Sequence, residues 1–341
     1  MGNYTALHAD PQGPGDARPT ALQIINDDSL NGKLLGKVIV ITGASRGLGA
    51  ETARALHSTG ARLYLTVRDL KKAQSSLAEE NSDRITLVEM DTSSFASVRA
   101  AAAKILAQTS NHINILINNA GVMGLKSLEL TEDGYETHFA TNHLGHFLLF
   151  QLLKSALLAS STAGFHSRVV NVASSTHRTI TKLSDSDNYN FEKGGYDHMV
   201  AYANSKLANI YMANELDRRF GSQGLHAISV HPGAVATDLL RSLGGVALLE
   251  PILSNKELSK EFKSPEQGAA TIVLGAVGKE WEGKGGKYLE NCGESVRGKD
   301  DGDMRTLGYV SHTYDPAAEK RLWDDSLRMT GYDVIADNLT N

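Results

Sequence analysis

Tyr202 and Lys206 stand four residues apart in the segment AYANSKLANIYMANEL, whose composition predicts a helix. Positions i and i+4 share one helix face, so the lysine ammonium is expected beside the phenol. A nearby positive charge favours ionised tyrosine, and lowering its pKa by ~3 units corresponds to about 4 kcal/mol. Such a phenol can exchange a proton with a carbonyl or alcohol oxygen during hydride transfer. The pair alone is common on helix surfaces, so its meaning depends on the segments around it.

Two serines precede this pair at the end of an apolar segment. The sequence RVVNVASS, residues 168–175, reads as a strand that ends with Ser174 and Ser175. The hydroxyl of Ser174 can hydrogen-bond the substrate oxygen on which the tyrosine acts. The serine and the tyrosine together predict a site for proton transfer.

The third informative segment is KVIVITGASRGLG, residues 37–49, where an apolar strand runs into three glycines. A diphosphate bound at a helix amino terminus needs free backbone N–H groups and no Cβ in the way. We expect Gly43 to make the turn, Gly47 to let the backbone approach the phosphates, and Gly49 to let the helix pack on the strand. An ordinary turn would also explain three glycines, and their spacing differs from the common dinucleotide fingerprint. Their position between a strand and a helix favours the binding site.

The end of the second apolar strand, LTVRD, indicates which dinucleotide binds. NAD-specific proteins place an acidic side chain near this strand end, on the ribose 2′-hydroxyl, whereas arginine suits a 2′-phosphate. Val67 stands where the acid is expected and Arg68 follows it, while Asp69 comes late and better fits a cap of the next helix. Arg46 in the glycine loop can reach the same phosphate. We therefore predict NADP(H), against the alternative that both arginines are solvated surface residues.

Two further strand ends carry polar residues. Asp91 either accepts a hydrogen bond from the adenine amino group or caps the following helix. In Asn118-Asn119-Ala120-Gly121, small residues let the cofactor ribose lie close, and an Asn amide can tie neighbouring strands together. A plain turn at the strand end would also use Asn and Gly.

The elements that must position these residues alternate along the chain. Apolar strands are predicted at 37–42, 62–67, 85–90, 114–117, 168–173 and 225–231, and helices at 47–59, 70–80, 94–108, 132–159 and 198–220. Continuous apolar strands separated by helices indicate a parallel sheet covered on both faces. The predicted fold class is therefore α/β, a single doubly wound Rossmann-type domain with its ligand crevice at the carboxyl ends of the strands.

Composition excludes several other classes of function. The 341 residues carry 34 Lys and Arg against 39 Asp and Glu, without a long block of either sign, which argues against a nucleic-acid partner. The one cysteine, Cys292, excludes an internal disulfide and a thiolate metal cage, and it fits a reducing compartment. No apolar run reaches the ~20 residues of a transmembrane segment, and no secretory signal is visible. We expect a cytoplasmic protein.

Three histidines crowd one predicted helix, at His138, His143 and His146. The spacing of the last two would suit a metal ion, but no acid or cysteine completes the set. No metal site is predicted.

The motifs TGASRGLG, NNAG, NHLGHF, NVASS, YANSK and HPGAVAT, in this order, resemble those of the short-chain dehydrogenase/reductase family, in its retinol-dehydrogenase-like subgroup. The resemblance spans residues 36–290. It implies that Tyr202 is the general acid/base and that Ser174, rather than Ser175, orients the carbonyl. It also implies that Lys206 lowers the tyrosine pKa and binds the nicotinamide ribose, and that Asn142 holds a water through its main chain in a proton relay to Lys206.

The motifs and the resemblance together define the remaining expectations. The residues expected to contact NADP(H) are Gly43, Ser45, Arg46, Gly47, Leu48, Gly49, Arg68, Asp91, Thr92, Asn118, Ala120, Gly121, Tyr202, Lys206, Pro232, Gly233, Val235 and Thr237. The chain divides into an irregular N-terminal arm over residues 1–35, with a short helix near 21–25, a catalytic domain over 36–292, and a C-terminal extension over 293–341 that packs on it. A homo-oligomer is compatible with the sequence.

Residues 238–263 are expected to form a lid over the substrate. The apolar side chains in it are Leu239, Leu240, Leu243, Val246, Leu248 and Leu249. They indicate a bulky apolar carbonyl or alcohol, such as a lipid, a retinoid-like molecule or a secondary metabolite, or else they pack on the core or another subunit. His177 and Arg178 leave room for one polar anchor at the pocket mouth. Two other functions stay open, a cofactor-binding scaffold for a non-redox rearrangement and a non-catalytic binding protein.

Overall fold

The computed structural model of the protein describes residues 4–76, 82–237, 239, 247 and 249–332. Eight strands form one sheet in the order β3-β2-β1-β4-β5-β6-β7-β8. They are β1 Val38–Thr42, β2 Arg62–Val67, β3 Ile85–Glu89, β4 Ile115–Asn118, β5 Ser167–Val172, β6 Leu225–His231, β7 Lys287–Glu290 and β8 Gly293–Glu294. Strands β1 to β7 pair in parallel, and β8 runs antiparallel to β7. The predicted α/β class with a doubly wound parallel sheet is confirmed.

The described helices are α1 Ala21–Asp27, α2 Gly47–His57, α3 Leu70–Ser76, α4 Phe95–Thr109, α5 Thr137–Phe139, α6 Gly145–Ser160, α7 His198–Phe220, α8 Glu250–Leu253, α9 Lys256–Lys260, α10 Pro265–Gly268, α11 Ala270–Val277 and α12 Pro316–Met329. A π-helical turn, Ala140–Leu144, joins α5 to α6. The helix predicted over 132–159 therefore begins five residues late, at Thr137. None of the described helices combines the length and apolar composition that a bilayer crossing requires.

The buried core has two layers, one on each face of the sheet. Along β1, Val38 and Val40 point into the layer formed with α4, α6 and α7, while Ile39 and Ile41 point into the layer formed with α1, α2 and α11. This alternation is the period of two that an extended strand imposes, and both sets are apolar because both faces are covered.

The two terminal segments take part in this core. Ile24 and Ile25 of α1 are fully buried against α2 and α11, so the N-terminal arm is more ordered than its composition predicts. Trp323 of α12 packs edge-on against Phe147 and Phe150 of α6, with ring centroids 5.0 and 6.0 Å away. Helices α1 and α12 thereby contribute to the two layers of the core.

Candidate active site

A cavity of about 1600 Å³ lies where the predicted crevice should be. Residues at the carboxyl ends of the strands line it, including Val67, Met90, Val172 and His231. All the sequence-predicted site residues except Asn118 and Asn142 also line it. Those two lie directly behind its wall and are described below.

The glycine loop between β1 and α2 has the geometry of a phosphate cradle. Gly43 has φ +65°, and a Cβ there would lie 2.8 Å from the Ala120 Cα. A Cβ on Gly49 would lie 2.6 Å from Asn119 Nδ2, so this position also excludes any other residue. Gly47 has φ +55°, and a Cβ there would meet only the Thr237 side chain, 3.7 Å away. The Arg46 side chain makes no capping hydrogen bond at the start of α2.

The residues after β2 carry the charges expected at a 2′-phosphate. Arg46, Arg68 and Lys72 all line the cavity. Asp69 accepts a hydrogen bond from the Lys72 backbone at 3.0 Å and lies 3.6 Å from its ammonium. The carboxylate therefore caps α3, as the sequence indicates.

The residues after β3 and β4 fix the floor of the cavity. Asp91 Oδ1 accepts hydrogen bonds from the Ser93 backbone at 2.9 Å and hydroxyl at 2.7 Å, whereas Ser94 caps α4. Asp91 therefore shapes the turn that carries Thr92 along the cavity wall. The capping alternative for Asp91 is wrong, because the helix begins at Phe95, one residue after the Ser94 cap.

Two asparagines after β4 tie strands together. Asn118 Nδ2 donates to Asn171 Oδ1 of β5 at 2.8 Å, and Asn119 Nδ2 donates to the Thr42 carbonyl of β1 at 2.9 Å. The Ala120 N–H donates to the Thr42 hydroxyl at 2.9 Å. The predicted tying role of the Asn amides is confirmed, and it leaves Ala120 and Gly121 facing the cavity.

Asn142 lies in the π-helical turn between α5 and α6. Its Oδ1 accepts from the Val122 N–H at 2.8 Å, and its Nδ2 donates to the Ser205 hydroxyl at 2.9 Å. Its main-chain carbonyl accepts a hydrogen bond from His146 Nδ1 at 2.9 Å. The turn thus couples the loop after β4 to α7, next to Lys206. The water relay through this carbonyl stays a prediction.

The structure brings Tyr202 and Ser174 together. Asp197 caps α7 by accepting from the backbone of Met199 and Val200, and Tyr202 follows in the next turn, almost fully buried. The Ser174 hydroxyl lies near enough to Tyr202 to lower the pKa of the phenol, and its oxygen accepts from the Thr176 N–H at 3.1 Å. Ser175 instead donates its backbone N–H to His231. Of the two serines, Ser174 is the one that acts on the pKa of the tyrosine.

Lys206 lies one helical turn beyond Tyr202, on the same face of α7. Its ammonium donates to the Val172 carbonyl at the end of β5, at 3.0 Å, and lies 5.6 Å from the centre of the Tyr202 ring. A Cβ on Gly121 would come within 3.6 Å of this nitrogen. The lysine is therefore held in the cavity wall between the ends of β4 and β5.

Burial dominates the acid–base balance of the pair. Burial raises the pKa of Tyr202 to about 12, although the nearby Ser174 hydroxyl lowers it. Burial also lowers the pKa of Lys206 to about 8. The lowering of the tyrosine pKa by Lys206 stays a prediction. Tyr202 is a protonated donor at neutral pH.

The segment Pro232–Thr237 lines the cavity opposite the glycine loop. Gly233 has φ +93°, and a Cβ there would lie 2.8 Å from the Lys263 ammonium. Lys263 is buried, donates to Asn291 Oδ1 at 3.0 Å and has its pKa lowered by burial to about 8. Sequence reasoning missed this lysine, because a lone Lys carries no signal of burial. The helix start at Ser264-Pro265 is the only nearby landmark in the sequence.

Arg178 does not provide the expected polar anchor for a substrate. Its side chain is 1% exposed, and its guanidinium donates to acceptors in the C-terminal extension, among them the Lys299 carbonyl at 2.7 Å and Asp301 Oδ1 at 2.9 Å. His177 bonds the Ser174 carbonyl and the Thr313 hydroxyl. The prediction of an anchor at this place is wrong, because these donors are used within the protein.

The N-terminal arm also reaches the cavity, which the sequence does not indicate. His8, Ala9, Pro11 and Arg18 line it. Arg18 is buried and donates to the carbonyls of residues 13, 260, 261 and 262, the last at 2.6 Å. The arm is therefore fastened to the end of the expected lid.

The expected lid over residues 238–263 is described in part. Leu239, Leu249 and Leu258 line the cavity, and Leu249 is buried. Four of the leucines and valines on which the apolar-substrate expectation rests lie outside the described residues: Leu240, Leu243, Val246 and Leu248. The described part presents apolar side chains to the cavity.

The three clustered histidines have protein partners. His138 bonds the Glu136 carboxylate at 2.7 Å, and His143 bonds the Ser326 hydroxyl at 2.8 Å. His146 bonds the Asn142 carbonyl and the Thr42 hydroxyl, and burial lowers its pKa to about 4. His146 is therefore neutral, with its proton on Nδ1 because a carbonyl can only accept, and it stabilises the glycine-loop and Asn142 backbones.

The chain belongs to the short-chain dehydrogenase/reductase family, as the sequence predicts. Residues 37–184 match the family model described as short chain dehydrogenase. The chain is 46% identical to short-chain dehydrogenase/reductase prx1 of Penicillium roqueforti, with 96% of this chain and 95% of that protein covered. It is 37% identical to retinol dehydrogenase 12 of Mus musculus, with 88% of each chain covered. The protein is thus an oxidoreductase of this family.

A solved structure supports the fold. The crystal structure of an uncharacterized protein from Mycobacterium paratuberculosis is 28% identical and superposes with a TM-score of 0.66, covering 89% of this chain and 97% of that one.

Proposed function

We propose that the protein transfers a hydride between NADP(H) and the carbonyl or secondary alcohol of a bulky, mostly apolar small molecule, with Tyr202 as general acid/base. The observation that carries this proposal is the placement of Ser174, the buried Tyr202 and Lys206, one helical turn beyond the tyrosine, in the wall of the cavity that also holds the glycine loop. Few arrangements other than proton transfer need a phenol, a hydroxyl and an ammonium at one buried point.

The residues present fit a bound dinucleotide. Gly43 and Gly49 leave no room for a Cβ, Gly47 is open toward the cavity, and the Arg46 side chain does not cap the first amides of α2. These residues would hold the diphosphate, and Lys206 with the Asn118–Gly121 segment would hold the nicotinamide ribose. When bound, the dinucleotide supplies or accepts the hydride.

The preference for NADP(H) over NAD(H) rests on charge. Arg46 and Arg68 line the cavity, and the one carboxylate directly after β2, that of Asp69, is engaged in capping α3. Two guanidiniums without an acid directed at the ribose favour a 2′-phosphate.

The side chains then divide the proton chemistry. In reduction, the Ser174 hydroxyl holds the carbonyl oxygen, and Tyr202 gives its phenolic proton to that oxygen as the hydride reaches the carbon. The Thr176 N–H and hydroxyl hold the serine oxygen, at 3.1 and 2.9 Å. Lys206 stabilises the phenolate that remains. In oxidation the phenolate takes the alcohol proton, and the same bonds are reversed.

The substrate class rests on the described apolar wall. Leu239, Leu249 and Leu258 face the cavity, and retinol dehydrogenase 12, which is similar over most of the chain, is named for an apolar alcohol. Apolar burial at ~25 cal/mol per Å² would then dominate binding.

The test is NADPH consumption against a panel of carbonyls graded in length and charge, with product formed in equal amount. Long apolar carbonyls should give the highest kcat/KM. Small polar or phosphorylated carbonyls as the best substrates would overturn the substrate class, and binding of NADPH without turnover of any carbonyl would favour a non-redox or binding role.

A further inference from the structure

Residues 298–308, which we name the C-terminal loop, form a closed unit at the cavity mouth. The Gly298 N–H donates to the Tyr309 carbonyl at 2.7 Å, and the Tyr309 N–H donates to the Val296 carbonyl at 2.9 Å, so the two ends of the loop lie side by side. Gly308 has φ +96°, and a Cβ there would lie 2.7 Å from the Gly298 nitrogen. Compact loops with closed ends often carry function.

The centre of the C-terminal loop is filled by Arg178. The guanidinium donates to the carbonyls of Lys299, Asp303 and Gly308 and to the carboxylate of Asp301. An arginine carries five N–H donors in a planar fork. All three guanidinium nitrogens of Arg178 donate hydrogen bonds to this loop. Since Arg178 lies four residues after Ser174, the fork ties the loop to the segment that carries the reacting groups.

The other side of the C-terminal loop faces the cavity. Residues 303–307 line the same cavity as Tyr202 and Ser174. Met304 is 43% exposed and Leu307 is 61% exposed, so two large apolar side chains stand at the mouth without protein cover. Single exposed apolar residues are normal on a surface, but these two belong to the wall of a binding cavity.

We propose that the C-terminal loop is a substrate-recognition wall, in which Met304 and Leu307 contact the apolar tail of the substrate and Arg178 is the positioning residue. This inference rests on the proposed function. It assigns the specificity for an elongated apolar molecule to the C-terminal loop, in addition to the lid, and it gives the buried arginine beside the reacting groups a positioning role.

The first test uses the full-length protein with NADPH and straight-chain aldehydes of four to twelve carbons. Leu307→Ser and Met304→Ser should raise KM for the longest aldehyde by about tenfold or more, with KM for the shortest and the NADPH Kd unchanged. Val296→Ser is the matched control, because Val296 is 72% exposed but does not line the cavity. Equal effects on short and long aldehydes, or an effect of the control as large as that of Leu307→Ser, would overturn the proposal.

The second test separates the positioning role of Arg178 from a general structural one. Arg178→Lys keeps the charge but cannot reproduce the fork. It should raise KM for the twelve-carbon aldehyde, leave kcat for the four-carbon aldehyde near wild type, and expose residues 299–308 to limited proteolysis. A wild-type KM together with an intact loop in this variant would overturn the positioning role.

A third measurement distinguishes failure of this inference from failure of the proposed function. Calorimetric binding of dodecanol to the NADPH-saturated protein involves no turnover, because an alcohol and a reduced cofactor cannot exchange a hydride. Weaker binding by Leu307→Ser supports the wall even if no aldehyde is reduced. Unchanged binding overturns it even if the wild type is an active reductase.

Discussion

The cofactor side and the substrate side of the cavity are built in different ways. On the cofactor side, each wall residue follows a strand directly: the glycine loop follows β1, Arg68 follows β2, Asp91 follows β3, and Ala120 follows β4. On the substrate side, the wall comes from the N-terminal arm, residues 258–263 and the C-terminal loop, which are far apart in the chain. Parallel strands place the first set, whereas side-chain hydrogen bonds place the second.

On the substrate side, two buried arginines hold the wall segments in place, as strand pairing does on the cofactor side. Arg18 joins the arm to residues 260–262, and Arg178 joins the Ser174 segment to residues 299–308. A strand end can tolerate many side chains, but a guanidinium among carbonyls cannot be replaced by a lysine. Single substitutions on the substrate side should therefore mainly lower the stability of the protein. Single substitutions on the cofactor side should mainly lower its affinity for the cofactor.

The largest expected effect is at the boundary between the two sides. Tyr202→Phe removes the phenolic proton and should cut turnover by 10²–10⁴-fold while NADPH binding stays intact, because the ring still packs in the wall. Tyr211→Phe is the control, since that hydroxyl lies on the same helix and bonds the His312 carbonyl outside the cavity. Steady-state kinetics and an NADPH fluorescence titration measure both quantities. Near-normal kcat in the Phe variant would remove Tyr202 from the mechanism.

Arg18→Met tests the substrate side alone. Its guanidinium is paired with Asp16 at 2.9 Å, with both side chains largely buried, and breaking such a pair costs about 3–5 kcal/mol. We expect a lower free energy of unfolding in urea and a higher KM for apolar carbonyls. The double variant Asp16→Asn/Arg18→Met should recover part of the stability, because it removes the unpaired carboxylate. If the single variant were as stable as wild type, the arm would not be fastened through Arg18.

His177, which bonds the Ser174 carbonyl and the Thr313 hydroxyl, should make the stability of the protein sensitive to acid. Burial lowers the pKa of His177 to about 4, below the unfolded value of about 6.5, so the unfolded chain binds the extra proton between these values. The stability that His177 contributes is complete above pH 6.5 and is lost as the pH falls toward 4, by about 2 kcal/mol between pH 7 and pH 5. Urea unfolding at both pH values should show a smaller loss in His177→Gln than in wild type. An identical loss in the two proteins would contradict this linkage.

The smallest expected effect is on the cofactor side. NADPH should bind at least tenfold, about 1.4 kcal/mol, more tightly than NADH, and Arg68→Asp should reverse or abolish that preference without changing the carbonyl KM. Arg62→Asp is the control, because Arg62 lies at the opposite end of the same strand and outside the cavity. Equal affinities of the wild-type protein for NADPH and NADH would overturn the assignment of NADP(H).

The same contrast explains what could be predicted from the sequence. The cofactor side was predictable because each functional residue is read together with the strand before it, as Asp69 and Asn119 show. Strands β7 and β8 escaped prediction because KYLE and GE are too short to show a period. Helices α10 to α12 were also absent from the prediction, although Pro265 and Pro316 each open a capped helix, at Ser264 and Asp315.

Beyond the lid, the substrate side was not predictable, because burial of a charged residue leaves no local pattern. Arg178 and Lys263 look like surface residues in the sequence, and their acceptors are identified only when the chain is folded. The burial of Tyr202, which raises its pKa, was not predicted for a related reason. The i+4 spacing predicts that the Lys206 ammonium lies near the phenol. Desolvation of the phenol, however, depends on all the residues that pack around α7.

The partners of Arg178 have a consequence for the order of events during synthesis. They lie 121 to 130 residues further along the chain, and the partners of Arg18 around position 261 lie more than 240 residues away. A chain emerges from the ribosome from its N-terminus. Strands β1 to β6 can therefore assemble while both guanidiniums are still solvated, because their acceptors are not yet synthesised. The nascent protein is therefore able to form its nucleotide crevice before it has a place for a substrate.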